Sequence, residues 1–187
     1  MRFQVLSHAG LLVEHNGKQM LSDPWLIGST YWRSWWNYPP VSKELIQSLR
    51  PDYIYLTHIH WDHFQSASLK LFPLDTPIIC PRGHFDRMKR DLNQIGFQNV
   101  IELRHAETFE IGPEFKLTSY SFDTLCDSAV VIESPQTTLL NLNDCKIMGH
   151  PLNHLLRRHK TPDFVFASHS SANSRACFEI IDDPEEI

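Results

Sequence analysis

The sequence predicts a single domain that mixes α-helices with β-strands, in the α/β or α+β class. Three observations support this prediction. The chain has 187 residues, of which 42% are hydrophobic and 21% are charged, and these proportions are those of a globular domain with a sizeable core. Short apolar stretches typical of strands recur along the chain, separated by turn-forming residues. Helical stretches with start or stop signals lie between several of them, which favours strand–helix–strand units combined with antiparallel strands.

The N-terminal part is predicted to begin with antiparallel strands. Phe3 to Glu14 contains strand-like apolar stretches, Asn16-Gly17 is a strong hairpin signal, and Lys18 to Ser22 is the returning strand. Asp23-Pro24 ends that strand, because the residue before a proline is restricted in its backbone conformation. An irregular aromatic segment is predicted for residues 25–40.

Helices and strands are then predicted to alternate. Ser42 is a suitable N-cap for a short helix that runs to Arg50 and is stopped by Pro51, and Tyr53 to Thr57 is an apolar strand. The predicted elements that follow are a helix at about Ser66–Phe72, a strand at Thr76–Cys80, a helix at Phe85–Ile95 that ends at Gly96, and strands at Asn99–Leu103, Thr108–Ile111, Phe115–Tyr120, Ser128–Glu133, Thr137–Asn143 and Asp163–Ser168.

Composition excludes several classes of function. The formal net charge is -5, so the chain lacks the basic field that nucleic-acid binding requires. No apolar run reaches the roughly 18 residues that a membrane span needs. The N-terminus lacks an export signal and the cysteines are widely spaced, which together predict reduced thiols in a cytoplasmic protein. These cysteines are Cys80, Cys126, Cys145 and Cys177.

Four side chains of the types that bind metals follow a predicted strand within six residues: His58, His60, Asp62 and His63. His58 and His60 are two residues apart and so lie on one side of an extended stretch, while Asp62 and His63 follow in the turn and reach a second position nearby. Imidazole and carboxylate groups suit zinc, iron or manganese. An exposed polar loop is the alternative, but it does not explain why an apolar strand runs directly into four such side chains. The sequence therefore predicts a metal-binding active site here.

This segment resembles the HxHxDH signature of the metallo-β-lactamase superfamily. Ser7-His8-Ala9-Gly10 and Ser22-Asp23-Pro24-Trp25 resemble the opening of the branch that contains ascorbate-6-phosphate lactonase and N-acyl-phosphatidylethanolamine phospholipase D. The runs from Asp127 to Ile132 and from Asn141 to Cys145 resemble proteins related to CMP-N-acetylneuraminate hydroxylase. The resemblance implies a four-layer αβ/βα sandwich with two metals at one edge.

The resemblance also implies how the metals are bound. One metal takes His58 and His60, the other takes Asp62 and His63, and Asp144 at the end of a strand bridges both.

Two histidines of the family pattern are missing from this sequence. One is expected before Asp127, where Asp123 is a candidate replacement. The other is expected at a position beyond Ile187, the last residue, and a helix-start signal at Asp183-Pro184 precedes that end. Together these features favour a domain spanning residues 1–187 that is truncated at its C-terminus or completed by another chain. His169, at a predicted strand end, is a further candidate ligand.

Candidate substrate contacts lie near this cluster. His8 is interpreted as a residue that supports the ligands or contacts the substrate. The aromatic segment is interpreted as a wall that stacks on a ring or covers an apolar chain, with Arg33 placed to pair with an anion; the alternative is that its rings pack against the body of the domain. The candidate aromatic contacts are Trp32, Trp35 and Trp36. The histidines of the GHPLNHLLRRH segment, His150, His154 and His159, are predicted to lie on a solvated face.

The predicted function is that of a metal-dependent hydrolase. A metal-activated water would attack an ester, lactone, amide or phosphodiester bond in a small-molecule substrate, and Asp62 would orient this nucleophile. Two divalent ions are expected, with zinc favoured over iron and manganese. Two alternatives stay open: an iron-dependent oxygenase or oxidoreductase on the same fold, and an incomplete metal-binding domain that is inactive alone. A homo-oligomer or a complementing chain is the expected kind of protein partner.

Overall fold

The computed structural model describes residues 1–122 and 127–168, and in it two β-sheets stack face to face with helices on both outer sides. The strands are β1 (Arg2–Ser7), β2 (Gly10–His15), β3 (Lys18–Ser22), β4 (Ser29–Thr30), β5 (Trp35–Trp36), β6 (Tyr53–Tyr55), β7 (Ile78–Pro81), β8 (Val100–Leu103), β9 (Glu107–Gly112), β10 (Phe115–Ser121), β11 (Ser128–Glu133), β12 (Thr138–Asn143) and β13 (Phe164–Ala167). The helices are α1 (Lys43–Ser48), α2 (Ser66–Leu69), α3 (Arg87–Ile95) and α4 (Gly149–Arg158), with a single 3-10 turn at His84–Asp86.

The first sheet has the strand order β1-β2-β3-β6-β7-β8 and the second the order β13-β12-β11-β10-β9. Strands β3, β6, β7 and β8 are parallel neighbours, so each connection between them must cross over the sheet. Helices α1, α2 and α3 lie in these three connections. Strands β9 to β12 form an antiparallel meander, and β13 returns parallel to β12 after α4.

Three apolar clusters separate the four layers. One lies between the sheets, one lies between the first sheet and its helices, and one lies between the second sheet and α4. Strand β11 shows how the sequence produces this arrangement: Val130 and Ile132 face the first sheet, whereas Ala129 and Val131 face α4. All four are fully buried, because successive side chains point to opposite faces of a strand and both faces are covered. The predicted four-layer αβ/βα sandwich is confirmed.

Most predicted elements are present. Ser42 caps α1 by accepting a hydrogen bond from the Leu45 backbone N–H, and Gly96 ends α3 with a φ of 122° that favours glycine. The region from Phe3 to Glu14 forms two strands joined by a turn. The aromatic segment is less irregular than predicted, because it contains the short ladder of β4 with β5. No helix in either described range has the length and apolar character needed to cross a bilayer.

The GHPLNHLLRRH segment forms a helix, α4, that the sequence reasoning did not assign. Its Leu155 is fully buried against the second sheet, while His150 and His154 are exposed as predicted. The prediction of a solvated His159 is wrong. Its side chain is 6% exposed, its Nδ1 lies 3.1 Å from a Glu133 carboxylate oxygen, and its Nε2 lies 2.7 Å from the Tyr120 hydroxyl. Through these two contacts, the His159 ring holds the C-terminal end of α4 against the second sheet.

His159 is expected to make folding stability depend on pH. Burial lowers the pKa of His159, and the positive charge of Arg158 acts in the same direction, although Glu133 opposes both. The unfolded chain therefore binds this proton at a higher pH than the folded chain does. The free energy of unfolding should be fully retained above the ordinary histidine pKa of about 6.5 and should fall below it.

We expect His159→Gln to flatten this pH dependence between about pH 5 and pH 7 in urea-unfolding titrations. The exposed His150 of the same helix provides the matched control, His150→Gln. An unchanged slope in His159→Gln would contradict the expectation.

Candidate metal centre

The candidate site lies at one edge of the sandwich, where strands from both sheets end. Asp23 follows β3, the segment from His58 to His63 follows β6, Asp144 follows β12, and Asp127 precedes β11. Strands β3 and β6 are parallel, and β11 is antiparallel to β12. This topology delivers all of these residues to the same edge.

The first group of converging ligand atoms contains His58, His60 and Asp127. The Nε2 atom of His58 lies 2.8 Å from the Nδ1 atom of His60. One carboxylate oxygen of Asp127 lies within 4.8 Å of a nitrogen from each histidine. Sequence reasoning did not assign Asp127 to the site, although its position directly before a strand that neighbours Asp144 was a usable signal.

The second group surrounds His63 Nε2. This atom lies 3.5 Å from Asp62 Oδ2 and 3.4 Å from Asp144 Oδ2. The same Asp144 oxygen lies 3.8 Å from His58 Nε2, so it faces both groups. The predicted convergence of Asp144 with the histidine cluster is therefore present in the structure.

The spacing of these donor atoms is compatible with bound divalent cations. Two ligands of a tetrahedral ion, each at about 2.0–2.1 Å, are about 3.3 Å apart, and two ligands at right angles are about 2.9 Å apart. The distances of 3.4 and 3.5 Å around His63 Nε2 match the first value, and the 2.8 Å between His58 and His60 matches the second. His63 Nε2 is also buried and has no hydrogen-bond partner among the described residues, which a native structure rarely tolerates without a ligand or ion.

Asp23 sets the orientation of two histidines. Its carboxylate accepts hydrogen bonds from the Thr57 N–H at 2.8 Å, the Thr57 hydroxyl at 2.7 Å and His63 Nδ1 at 3.0 Å. Because the Thr57 hydroxyl donates its proton to Asp23, it can only accept from His58 Nδ1, which lies 3.0 Å away. Both histidines are thus held with a proton on Nδ1, which leaves Nε2 directed into the site as the atom that an ion would bind. Sequence reasoning placed Asp23 at the end of a strand and in a run that resembles a branch of the family, but it did not assign Asp23 to the metal centre.

The site favours positive charge. Burial alone would lower the pKa of His63, but the carboxylates of Asp23, Asp144 and Asp62 raise it to about 10. The nearby His63 ring lowers the pKa of Asp144 in turn. Burial lowers the pKa of His58, and the neighbouring His63 lowers it further. The same carboxylates that attract a proton to His63 would also attract a metal cation at its Nε2 atom.

Both carboxylate oxygens of Asp62 are engaged by side chains outside the motif. Tyr31 donates its hydroxyl proton to Oδ1 at 2.7 Å, and His8 Nε2 lies 2.9 Å from Oδ2. Burial raises the pKa of Asp62, but these two hydrogen bonds and the charge of His63 outweigh burial and hold the pKa well below its usual range. Asp62 is therefore a carboxylate at neutral pH. Burial and the contact with Asp62 raise the pKa of Tyr31, which keeps its hydroxyl protonated.

A cleft of about 570 Å³ opens onto the second group, and its lining includes His8, Trp35, His63 and Asp144. Trp35 is thus the predicted aromatic contact that borders the candidate ligands directly.

The other predicted substrate contacts do not line this cleft. Trp32 and Arg33, together with Tyr31, line a separate cavity of about 330 Å³. Trp36 is largely exposed and donates its indole N–H to the Arg33 carbonyl oxygen. The predictions for Asp123 and His169 fall outside the described residues.

Comparison with known proteins identifies a family. A sequence model described as a beta-lactamase superfamily domain matches residues 2–173. The human inactive cytidine monophosphate-N-acetylneuraminic acid hydroxylase is 30% identical over 149 residues, which are 75% of this chain and 29% of that protein. A Mycolicibacterium smegmatis protein, described as a candidate Rieske 2Fe-2S iron–sulfur protein, is 28% identical over 156 residues, which are 78% of this chain and 30% of that protein. The chain thus spans about a third of the length of these relatives.

Solved structures share the fold at lower identity. An isothiocyanate hydrolase from Delia radicum gut bacteria superposes with a TM-score of 0.69 at 17% identity, covering 88% of this chain and 70% of that one. A variant of the β-hydroxylase CmlA superposes with a TM-score of 0.68 at 19% identity, covering 87% of this chain and 34% of that one. At these identities the likeness establishes the fold alone.

Proposed function

This chain belongs to the metallo-β-lactamase superfamily, and from that premise we propose that it is a metal-dependent hydrolase with a dinuclear centre. The observation that carries the proposal is the convergence of imidazole and carboxylate donors on a buried His63 Nε2 that has no hydrogen-bond partner among the described residues. Such a donor set suits divalent cations of the zinc, iron and manganese group.

The donors divide between two positions. His58, His60 and Asp127 would hold one ion, and Asp62 and His63 would hold the other. Asp144 lies between the positions, because its Oδ2 atom faces both His58 Nε2 and His63 Nε2.

The chemistry follows from how the chain holds these groups. When bound, divalent ions lower the pKa of a water and polarise the oxygen of the bond to be cleaved. Tyr31 donates a hydrogen bond to Asp62 Oδ1, so this carboxylate keeps one orientation beside the nucleophile. Asp23 keeps the Nε2 atoms of His58 and His63 directed inward. The cleft beside Trp35 and Asp144 admits a small-molecule substrate with an ester, lactone, amide or phosphodiester bond.

A second candidate function is iron-dependent oxygenation, and one observation favours it. His58, His60 and Asp127 are two histidines and one carboxylate, which is the ligand set of many non-haem iron(II) oxygenases. Two similar proteins are described as hydroxylases: CmlA of Streptomyces venezuelae is described as a diiron β-hydroxylase, and the human relative is described as an inactive hydroxylase. Hydrolysis ranks first because it needs only the ions, a water and the substrate, and no oxidant or reductant.

Metal analysis combined with activity assays tests the proposal. We expect the purified protein to bind about two divalent ions per chain and to hydrolyse at least one of three probes: p-nitrophenyl acetate, a γ-lactone or bis(p-nitrophenyl) phosphate. Treatment with a chelator should abolish this hydrolysis, and zinc or manganese should restore it. A protein that binds no divalent ion would contradict the whole proposal. Bound iron with oxygen consumption and no hydrolysis would favour the second candidate.

A further inference from the structure

We propose that His8 is a ligand of the second metal position, together with Asp62, His63 and Asp144. This inference rests on the proposed function, because it assigns an additional ligand to the same centre. His8 lies in the turn between β1 and β2, about fifty residues before the HxHxDH motif, and the motif by itself does not point to it.

The position of the imidazole supports a ligand role. His8 Nε2 lies 2.9 Å from Asp62 Oδ2, which is a hydrogen-bond distance. It is also close to the separation of about 2.9 Å between two ligands at right angles on one ion, so an ion bound here would take the place of the shared proton. Ligand atoms of His8, Asp62 and His63 all lie within 4.8 Å of one another, and the rings of His8 and His63 are 5.8 Å apart. One cation can therefore contact all three side chains.

The local structure holds His8 in this place. The Ser7 hydroxyl donates a hydrogen bond to the Trp25 carbonyl oxygen at 2.7 Å, which fastens the turn to the segment after β3. The His8 ring packs edge-on against Trp25 at 5.4 Å and against Trp35 at 6.2 Å. A Cβ atom at Gly10 would lie 2.9 Å from the Ser7 hydroxyl oxygen, so a larger residue there would displace this hydroxyl from its hydrogen bond. A ring held in this way loses little freedom when it binds an ion.

His8 would add a nitrogen ligand to a metal position that otherwise has mainly carboxylate ligands. Without His8, the described residues supply this position with one imidazole, from His63, and the carboxylates of Asp62 and Asp144. A second nitrogen donor would make the set two histidines and two carboxylates. It would thereby strengthen the binding of a borderline-soft ion such as zinc.

Titration with cobalt(II) tests this inference, because cobalt reports both the number of ions and their coordination through its visible absorption. The variants are His8→Ala, which removes the ring, and His8→Gln, whose amide can still donate a hydrogen bond to Asp62. We expect both variants to bind the second ion at least about tenfold more weakly and to lose part of its absorption, while the first ion binds as in the wild type. His150→Ala, an exposed histidine on α4, is the matched control and should titrate as the wild type does.

Three other outcomes are decisive. If His8→Ala binds two ions with wild-type affinity and spectrum, His8 is not a ligand and only this inference fails. If His8→Gln alone restores wild-type binding, His8 acts as a hydrogen-bond donor to Asp62, and the ligand assignment is again wrong. If the wild type binds no cobalt, the proposed function fails and the assignment of His8 fails with it.

Discussion

Replacing His58 and His60 together by alanine is expected to remove the first metal ion and to reduce hydrolysis by at least about a thousandfold, or roughly 4 kcal/mol of transition-state stabilisation. The physical reason is that these residues supply the two nitrogens of the His58–His60–Asp127 group. The remaining carboxylates of Asp127 and Asp144 supply no nitrogen and are too few to hold this ion tightly. Metal content measured by mass spectrometry and hydrolysis of the most active probe check this result.

The fold of this double variant should survive. His60 is exposed, and the buried His58 makes its described polar contacts with Thr57, His60 and Asp144 at the edge of the sandwich. The matched control replaces two exposed histidines of α4, His150 and His154, and should keep wild-type metal content. A native far-UV spectrum together with a full complement of metal in the His58/His60 variant would refute the ligand assignment.

Asp23→Asn is expected to have the second-largest effect, and it should act on metal binding and stability together. All three described partners of the carboxylate are donors: the Thr57 N–H, the Thr57 hydroxyl and the His63 ring. An amide group presents one acceptor and one donor, so at least one of these donors would face another donor in a fully buried place. We expect the free energy of unfolding to fall by about 2–3 kcal/mol.

The same substitution should weaken metal binding by about 10–100-fold, because His58 and His63 would no longer be held as the tautomers that direct Nε2 into the site. Denaturant unfolding and cobalt titration measure the two effects separately. Asp163→Asn is the matched control, since the Asp163 carboxylate accepts a backbone N–H bond from Thr138 at 2.8 Å and lies outside the metal centre. Equal metal affinity in Asp23→Asn and wild type would show that the orientation of these histidines does not depend on Asp23.

The candidate site illustrates how far local sequence signals reach. His58, His60, Asp62 and His63 were predictable because they follow one strand without interruption, so that proximity in sequence ensures proximity in space. Asp144 was predictable only through the resemblance to a family, since more than eighty residues separate it from the motif. Asp127 was overlooked, because its position before a strand that pairs with the one leading to Asp144 is a signal that any acidic residue in such a turn would share.

Local sequence patterns also predicted most, but not all, of the secondary structure and burial. The apolar stretches of β6 and β11 were sufficient to predict strands, because each carries its own hydrophobic pattern. Helix α4 was overlooked because its polar and histidine-rich sequence buries only Leu155 fully. His159 was predicted to be solvated for the same reason, and its contacts with Tyr120 and Glu133 arise only when α4 packs on the second sheet.

By itself, the sequence determined the fold class, most of the strands and the presence of a histidine–aspartate cluster, because hydrophobic periodicity, turn residues and adjacent ligands are local properties of a chain. Only the tertiary structure decided which distant residues lie beside this cluster. Parallel pairing of β3 with β6 brings the Asp23 carboxylate next to His63 Nδ1. Packing of the turn between β1 and β2 against Trp25 brings His8 next to Asp62. The composition of the centre is thus a consequence of sheet topology, which joins strand ends that are far apart in the sequence.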